Sequence, residues 1–182
     1  LVLGNTDVFK PTSSCPFSCQ AFVKMFDEAG FPKGVVNFVL GSSNVGTQLI
    51  RHEDVDCITF TGSTEVGLQV TREGGLKRRV LELGGNGPMI VMDDANVDAA
   101  VEGCIIGIYY NAGQVCCGAE RLLVHEAVYD EFAEKFLDRA SKLVCGDPFD
   151  PKTDLGPLHD KAGVEKAHRH VQDAIAKGAK LV

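Results

Sequence analysis

Two short glycine-bearing stretches of this 182-residue chain carry a carboxylate and a thiol. Glu82 stands in Leu81-Glu82-Leu83-Gly84-Gly85, and Cys116 in Gly113-Gln114-Val115-Cys116-Cys117. Together these groups suit covalent catalysis through a thioester. A thiolate attacks a carbonyl carbon, and a carboxylate activates the water that later removes the acyl group. Neither stretch is specific alone. Cysteine is often a small buried hydrophobe, Glu82 reads equally as a solvated strand-end charge, and Cys117 is a rival nucleophile beside Cys116. Asn111, Gly113 and Gln114 read as turn-formers.

A third stretch, Phe60 to Gly67 (FTGSTEVG), follows the apolar run Cys57-Ile58-Thr59-Phe60. The run reads as a short buried strand, and Thr61-Gly62-Ser63 turns from it into a helix. Small residues there let a backbone approach a ligand closely, and free N–H groups at a helix start favour phosphate. The plain alternative is a capped strand–helix turn with no ligand. The GxGxxG dinucleotide fingerprint is absent.

The elements that must position these residues alternate between β and α. Ser18 to Ala29 carries an apolar helical stripe (Ala21, Phe22, Met25, Phe26, Ala29) stopped by Gly30 and Pro32. Val35 to Leu40 reads as a buried strand, Asn44 to Ile50 as a short helix, and residues 57–60 as a strand before a helix from Ser63. The βαβα order predicts a parallel sheet with helices on its faces. Met89 to Met92 is a further strand, and Asp94 or Asn96 can cap a helix through Val101, Ile105 and Tyr109. Leu122 to Val124 is a strand. The clearest amphipathic helix runs from Val128 to Val144, with Val128, Phe132, Phe136, Ala140 and Leu143 on one face.

Composition narrows the partners. The formal charge of −7 leaves no basic footprint for nucleic acid or an anionic membrane. Apolar residues make up 45% of the chain, mean hydropathy is +0.02, and no stretch reaches transmembrane length. Seven dispersed cysteines suit a reducing compartment and hence the cytoplasm, and their spacing gives no metal site. The five histidines and the Asp54/Asp56 and Asp93/Asp94 pairs fall outside every motif.

The Glu82, Cys116 and FTGSTEVG stretches, in this order, resemble the NAD(P)-dependent aldehyde dehydrogenases. Gly4-Asn5-Thr6 leading to Lys10-Pro11, Glu28 to Asn37, His52 to Asp56, Tyr129 to Phe132 and Gly156-Pro157-Leu158 resemble further blocks of the family, so the likeness covers essentially the whole chain. It implies a parallel-sheet, Rossmann-like coenzyme-binding portion over residues 1–84, followed by part of an α/β catalytic domain over 85–182. It implies Cys116 as nucleophile, because the family places it directly after Gly-Gln-X, and Glu82 as general base. It also implies NAD or NADP as coenzyme, with contacts at Lys10, Ser13, Gly62, Ser63, Leu83 and Gly84. The reaction implied is oxidation of an aldehyde to a carboxylic acid through a cysteine hemithioacetal and thioester, in a homo-oligomeric parent enzyme.

Departures from the family pattern qualify those expectations. The chain resembles the middle of such an enzyme. It starts after the asparagine that completes the oxyanion hole and stops before the glutamate that grips the nicotinamide ribose, so the piece alone is expected to be inactive. NAD-preferring members carry glutamate three positions after the matching lysine, where this chain has Ser13. Asn111-Ala112-Gly113-Gln114 and Leu83-Gly84-Gly85-Asn86 resemble succinate-semialdehyde dehydrogenases, but Tyr110 stands where those place a carboxylate-binding arginine. A non-catalytic nucleotide-binding remnant and a CoA-acylating dehydrogenase are the alternative readings. Glu82 weighs against the second, since a water-activating carboxylate would compete with CoA for the thioester.

Overall fold

The computed structural model describes residues 1–182. In chain order the elements are β1 (Asp7–Phe9), α1 (Pro16–Glu28), β2 (Val36–Phe38), α2 (Ser43–Arg51), β3 (Cys57–Thr61), α3 (Thr64–Glu73), β4 (Arg78–Glu82), β5 (Gly87–Val91), α4 (Val97–Tyr109), β6 (Ala119–Val124), α5 (Glu126–Ser141) and α6 (Lys161–Ala176). Every pairing is parallel: β1 with β2, β3 with β4, β5 with β6. Parallel neighbours need a crossover, and α1, α3 and α4 supply one each. The chain is thus three βαβ units in succession. One parallel sheet is expected from the sequence, whereas the strands form three separate two-stranded pairs, with no ladder from β2 to β3.

The chain divides into two units, Leu1–Leu83 and Gly84–Val182. In the first, β3 and β4 run in register from Cys57 opposite Arg78 to Thr61 opposite Glu82. Helix α3 buries Val70 and Gly67. A Cβ on Gly67 would lie 2.6 Å from Leu83 Cδ2, so glycine is what lets this helix come so close to the exit of β4.

The second unit holds the larger core. Val91, Val101, Cys104, Ile105 and Phe132 are buried, with Val128, Phe136, Ala140 and Leu143 of the α5 region packed against them. Phe132 stacks on Phe136 at 5.7 Å between ring centroids. Burying a side chain of that size contributes about 2–3 kcal/mol. Asn96 caps α4 by accepting from Ala99 N–H at 3.0 Å. Across the α4–α5 seam Lys135 pairs with Asp98 and Arg139 with Glu102. Burial pushes the Cys104 thiol pKa up, so this cysteine is a core hydrophobe and not a reactive group.

Candidate functional site

In the first unit, the residues singled out by the sequence gather at the carboxyl ends of parallel strands. That is where open α/β sheets take ligands. Lys10 follows β1, Gly62 and Ser63 follow β3, and Leu83 follows β4. Gly62 N–H donates to the Glu82 carbonyl at 3.0 Å, so the FTGS turn lies directly beside the end of β4. A Cβ on Gly62 would sit 2.5 Å from Phe60 Cζ, so glycine is what leaves room for that ring in this tight turn. Ser63 is the N-cap of α3 and accepts from Val66 N–H at 3.2 Å. Its hydroxyl proton remains free to donate, since a serine hydroxyl both accepts and donates.

Thr64 and Glu65, the first residues of α3, make no intrachain hydrogen bond through their N–H groups. With the Ser63 hydroxyl they form a donor set suited to a phosphate. The Glu65 carboxylate in the same turn offsets part of that favourable field. Lys10 is half-buried; its stem lies over Gly46, with Cε 3.6 Å from where a Cβ on that glycine would be, and its Nζ donates to the Pro11 carbonyl at 2.8 Å. Ser13 is exposed on the loop before α1 and makes no hydrogen bond. Glu82 is exposed at the last position of β4, and its carboxylate has no intrachain partner. The Gly62 turn and the free Ser63 hydroxyl thus offer donors at the start of α3, while the contacts of Lys10 are with Gly46 and Pro11. A depression of about 430 Å³ lined by Arg51, Glu53, Glu73 and Lys77 lies at the amino ends of β3 and β4, away from these residues.

The second unit presents Cys116 on a turn. Gly118 N–H donates to the Val115 carbonyl at 3.0 Å, which makes Cys116 and Cys117 the two central residues. Both thiols are exposed. The Cys116 N–H makes no intrachain hydrogen bond, so it is free to donate to an oxygen held at the thiol.

The approach to this turn is unusual. Asn111, Ala112 and Gly113 have φ of 52°, 55° and 75°, three successive residues in the left-handed region. For the non-glycine pair such a conformation costs of order 1–3 kcal/mol per residue and persists only where the surroundings enforce it. The enforcing contacts are reciprocal. Asn111 Nδ2 donates to the Gln114 carbonyl at 3.2 Å, and Gln114 Nε2 donates to the Asn111 carbonyl at 3.0 Å. Gln114 Oε1 also accepts from His159 N–H at 2.9 Å. Asn111 and Gln114 thus build the turn that displays Cys116. Gly84 and Gly85 open this unit, and a Cβ on Gly85 would meet the Cys116 carbonyl oxygen at 2.8 Å. Tyr110 is exposed at the end of α4. No group of three His, Cys, Asp or Glu side chains is placed to hold a metal ion, and no helix is long and apolar enough to cross a membrane.

Comparison with known proteins supplies what geometry alone does not. The family model described as the aldehyde dehydrogenase family matches residues 1–182. The chain is 46% identical over 185 residues to succinate-semialdehyde dehydrogenase [NADP(+)] GabD of Escherichia coli, covering all of this chain and 38% of that protein. It is 42% identical to retinal dehydrogenase 2 of Mus musculus, covering 36% of it. Among solved structures, glyceraldehyde-3-phosphate dehydrogenase GapN of Methanocaldococcus jannaschii, complexed with NADP, superposes with a TM-score of 0.93 at 38% identity, over 98% of this chain and 40% of that one. The E. coli NADP-dependent enzyme gives 0.93 at 46% identity, over 97% of this chain and 37% of that one. The chain spans less than two-fifths of the length of the curated relatives it matches. The match over the full chain, with its Rossmann-like α/β architecture, establishes that it belongs to the aldehyde dehydrogenase family.

Proposed function

We propose that this chain is the coenzyme-binding and nucleophile-bearing part of an enzyme that oxidises an aldehyde to a carboxylic acid with NAD or NADP. The observation that carries the proposal is the exposed Cys116 at the corner of the Val115–Gly118 turn, with its own N–H unpaired. Cys116 as thiolate adds to the aldehyde carbon. The oxygen that gains charge accepts from the Cys116 N–H, a fixed donor aimed at developing charge. When bound, the coenzyme supplies the hydride acceptor that takes the carbon to the thioester oxidation level. Glu82 then draws a proton from water, and the resulting hydroxide releases the acid from Cys116. The free carboxylate of Glu82 at the end of β4 supports that role.

Ser63, the start of α3, Gly62 and the backbone of Leu83 and Gly84 hold the coenzyme, with Lys10 and Ser13 toward its adenosine ribose. Relatives named for NADP(+), GabD among them, support acceptance of that coenzyme. Tyr110 offers no cation to a substrate carboxylate, unlike the arginine of the succinate-semialdehyde pattern. The dispersed free cysteines fit a cytoplasmic enzyme, and the family likeness a homo-oligomer. The isolated 182 residues are inactive on this reading, since they hold neither the oxyanion-hole asparagine nor the ribose-gripping glutamate of the family pattern.

The test is made in the full-length enzyme. Cys116→Ser is expected to abolish aldehyde oxidation and Cys117→Ser to leave most of it. The reverse pattern overturns the assignment. Activity in both variants rules out either cysteine as the nucleophile. A full-length wild-type protein that binds coenzyme but oxidises no aldehyde returns the chain to a nucleotide-binding remnant, and a product released only with CoA moves it to the CoA-acylating branch.

A further inference from the structure

Strand β6 carries one residue more than the strand it pairs with. Gly87 lies opposite Ala119 and Pro88 opposite Arg121, so Glu120 is the extra residue of a bulge. Bulges are rare in parallel pairs and concentrate beside active sites, where they re-aim the flanking side chains. Here the re-aimed side chains reach back to the segment that leads into β5. Glu120 Oε2 accepts from Gly87 N–H at 2.5 Å. Arg121 forks onto the Asn86 carbonyl, with Nε at 3.2 Å and Nη2 at 2.9 Å.

The clamped segment is the one the nucleophile turn rests on. A Cβ on Gly85 would lie 2.8 Å from the Cys116 carbonyl oxygen, and one on Gly87 would lie 2.6 Å from the Gly118 carbonyl oxygen. Only Gly118 and Ala119 separate Cys117 from Glu120. Turn, bulge and clamped segment therefore form one closed circuit of close backbone approaches and side-chain-to-backbone hydrogen bonds.

We propose that Glu120 and Arg121 are positioning residues for the Cys116 thiol: by holding Asn86 and Gly87, the bulge fixes the backbone against which the nucleophile turn is seated. The proposal rests on the reading of Cys116 as nucleophile. Neither side chain touches the reacting atoms; both act through the Gly85–Gly87 backbone. Both are exposed, so their hydrogen bonds add little to the stability of the whole fold. Placement of a reacting atom is far more sensitive, because a shift of about 1 Å can cost about a hundredfold in rate.

The experiment is rapid-mixing measurement of the first turnover of NAD(P)H in the full-length enzyme, with coenzyme Kd and the thermal midpoint measured on each variant. Glu120→Ala is expected to slow the first turnover about tenfold while leaving coenzyme Kd within about twofold, since the coenzyme contacts of β3, α3 and β4 are untouched. Glu120→Gln keeps an oxygen that can accept from Gly87 N–H and is expected to restore the rate to within about threefold. Arg121→Lys, which offers no fork, is expected to fall between them and carries the test should Glu120→Ala not fold. Equal rates for Glu120→Ala and Glu120→Gln, or a wild-type rate in Arg121→Lys, overturn the proposal. Failure of the underlying reading is distinguishable: Cys116→Ser would then keep its activity whatever the Glu120 variants do.

Discussion

Replacing Gly85 by alanine adds a single methyl group where the Gly84–Asn86 segment passes closest to the Cys116 turn. The new Cβ would stand 2.8 Å from the Cys116 carbonyl oxygen, whereas ordinary contact begins near 3.4 Å. That oxygen belongs to the backbone, so no side chain can rotate away. Either the turn or the Gly84–Asn86 segment must move by about 0.6 Å. Loss of about a hundredfold in rate for a displacement of 1 Å scales to about ten- to twentyfold here. The assay is the first-turnover rate of NAD(P)H formation in the full-length enzyme, which reports attack and hydride transfer before product release. Gly103→Ala is the matched control. It lies exposed within α4 with open space around its Cβ position, and alanine there is expected to raise stability by about 0.5–1 kcal/mol without touching the rate. A Gly85→Ala enzyme that matches wild type in the first turnover would refute the argument that the Gly85 backbone seats the Cys116 turn.

What the sequence disclosed follows from how each residue signals its place. Periodic apolar stripes marked α1, α4 and α5. Those of α4 and α5 supply the second unit's core, where Phe132, Phe136 and Ala140 meet it as expected, whereas the α1 stripe buries no residue and leaves Phe22 and Met25 exposed. The start of α1 lies at Pro16, earlier than the apolar stripe suggests, because proline suits the first helical position. Two elements gave no such signal. In β4 the alternation turns Arg79 and Leu81 inward and Val80 outward, so a hydrophobicity reading of Arg-Arg-Val-Leu-Glu finds no strand. Helix α6 buries no residue and contains Gly163; its one local mark is Asp160, which caps it by accepting from Gly163 N–H at 2.8 Å. At the site, motif and order pointed to Cys116, Glu82 and the FTGS turn. Three things were illegible: the left-handed run at Asn111–Gly113, the reciprocal bonding of Asn111 with Gln114, and the bulge at Glu120. Each depends on contacts formed after the chain has folded, and no spacing of residue types encodes them.

Three further outcomes can be measured in the full-length enzyme. Glu82→Gln is expected to slow thioester breakdown more than hydride transfer, giving a burst of NAD(P)H and then a slow steady state; an unchanged steady-state rate means another group is the base. Phe132→Ala removes a 3%-exposed ring stacked on Phe136 and is expected to cost about 3–5 kcal/mol in denaturant unfolding, with a loss below about 1 kcal/mol contradicting the core described for the second unit. The last concerns coenzyme choice. Ser13 is exposed and unpaired three positions after Lys10, where NAD-preferring relatives of the family pattern carry glutamate. A glutamate there would accept from a free ribose 2′-hydroxyl and repel a 2′-phosphate; serine removes the repulsion and can donate to that phosphate. On the proposed reading Lys10 supplies charge to either coenzyme and so does not discriminate alone. Ser13→Glu is therefore expected to shift the ratio of kcat/KM values toward NAD by about tenfold, the equivalent of about 1.4 kcal/mol for one like-charge contact. A wild-type enzyme with no NADP activity would make Ser13 a loop serine with no part in recognition, because nothing at that position would then distinguish a phosphate from a hydroxyl.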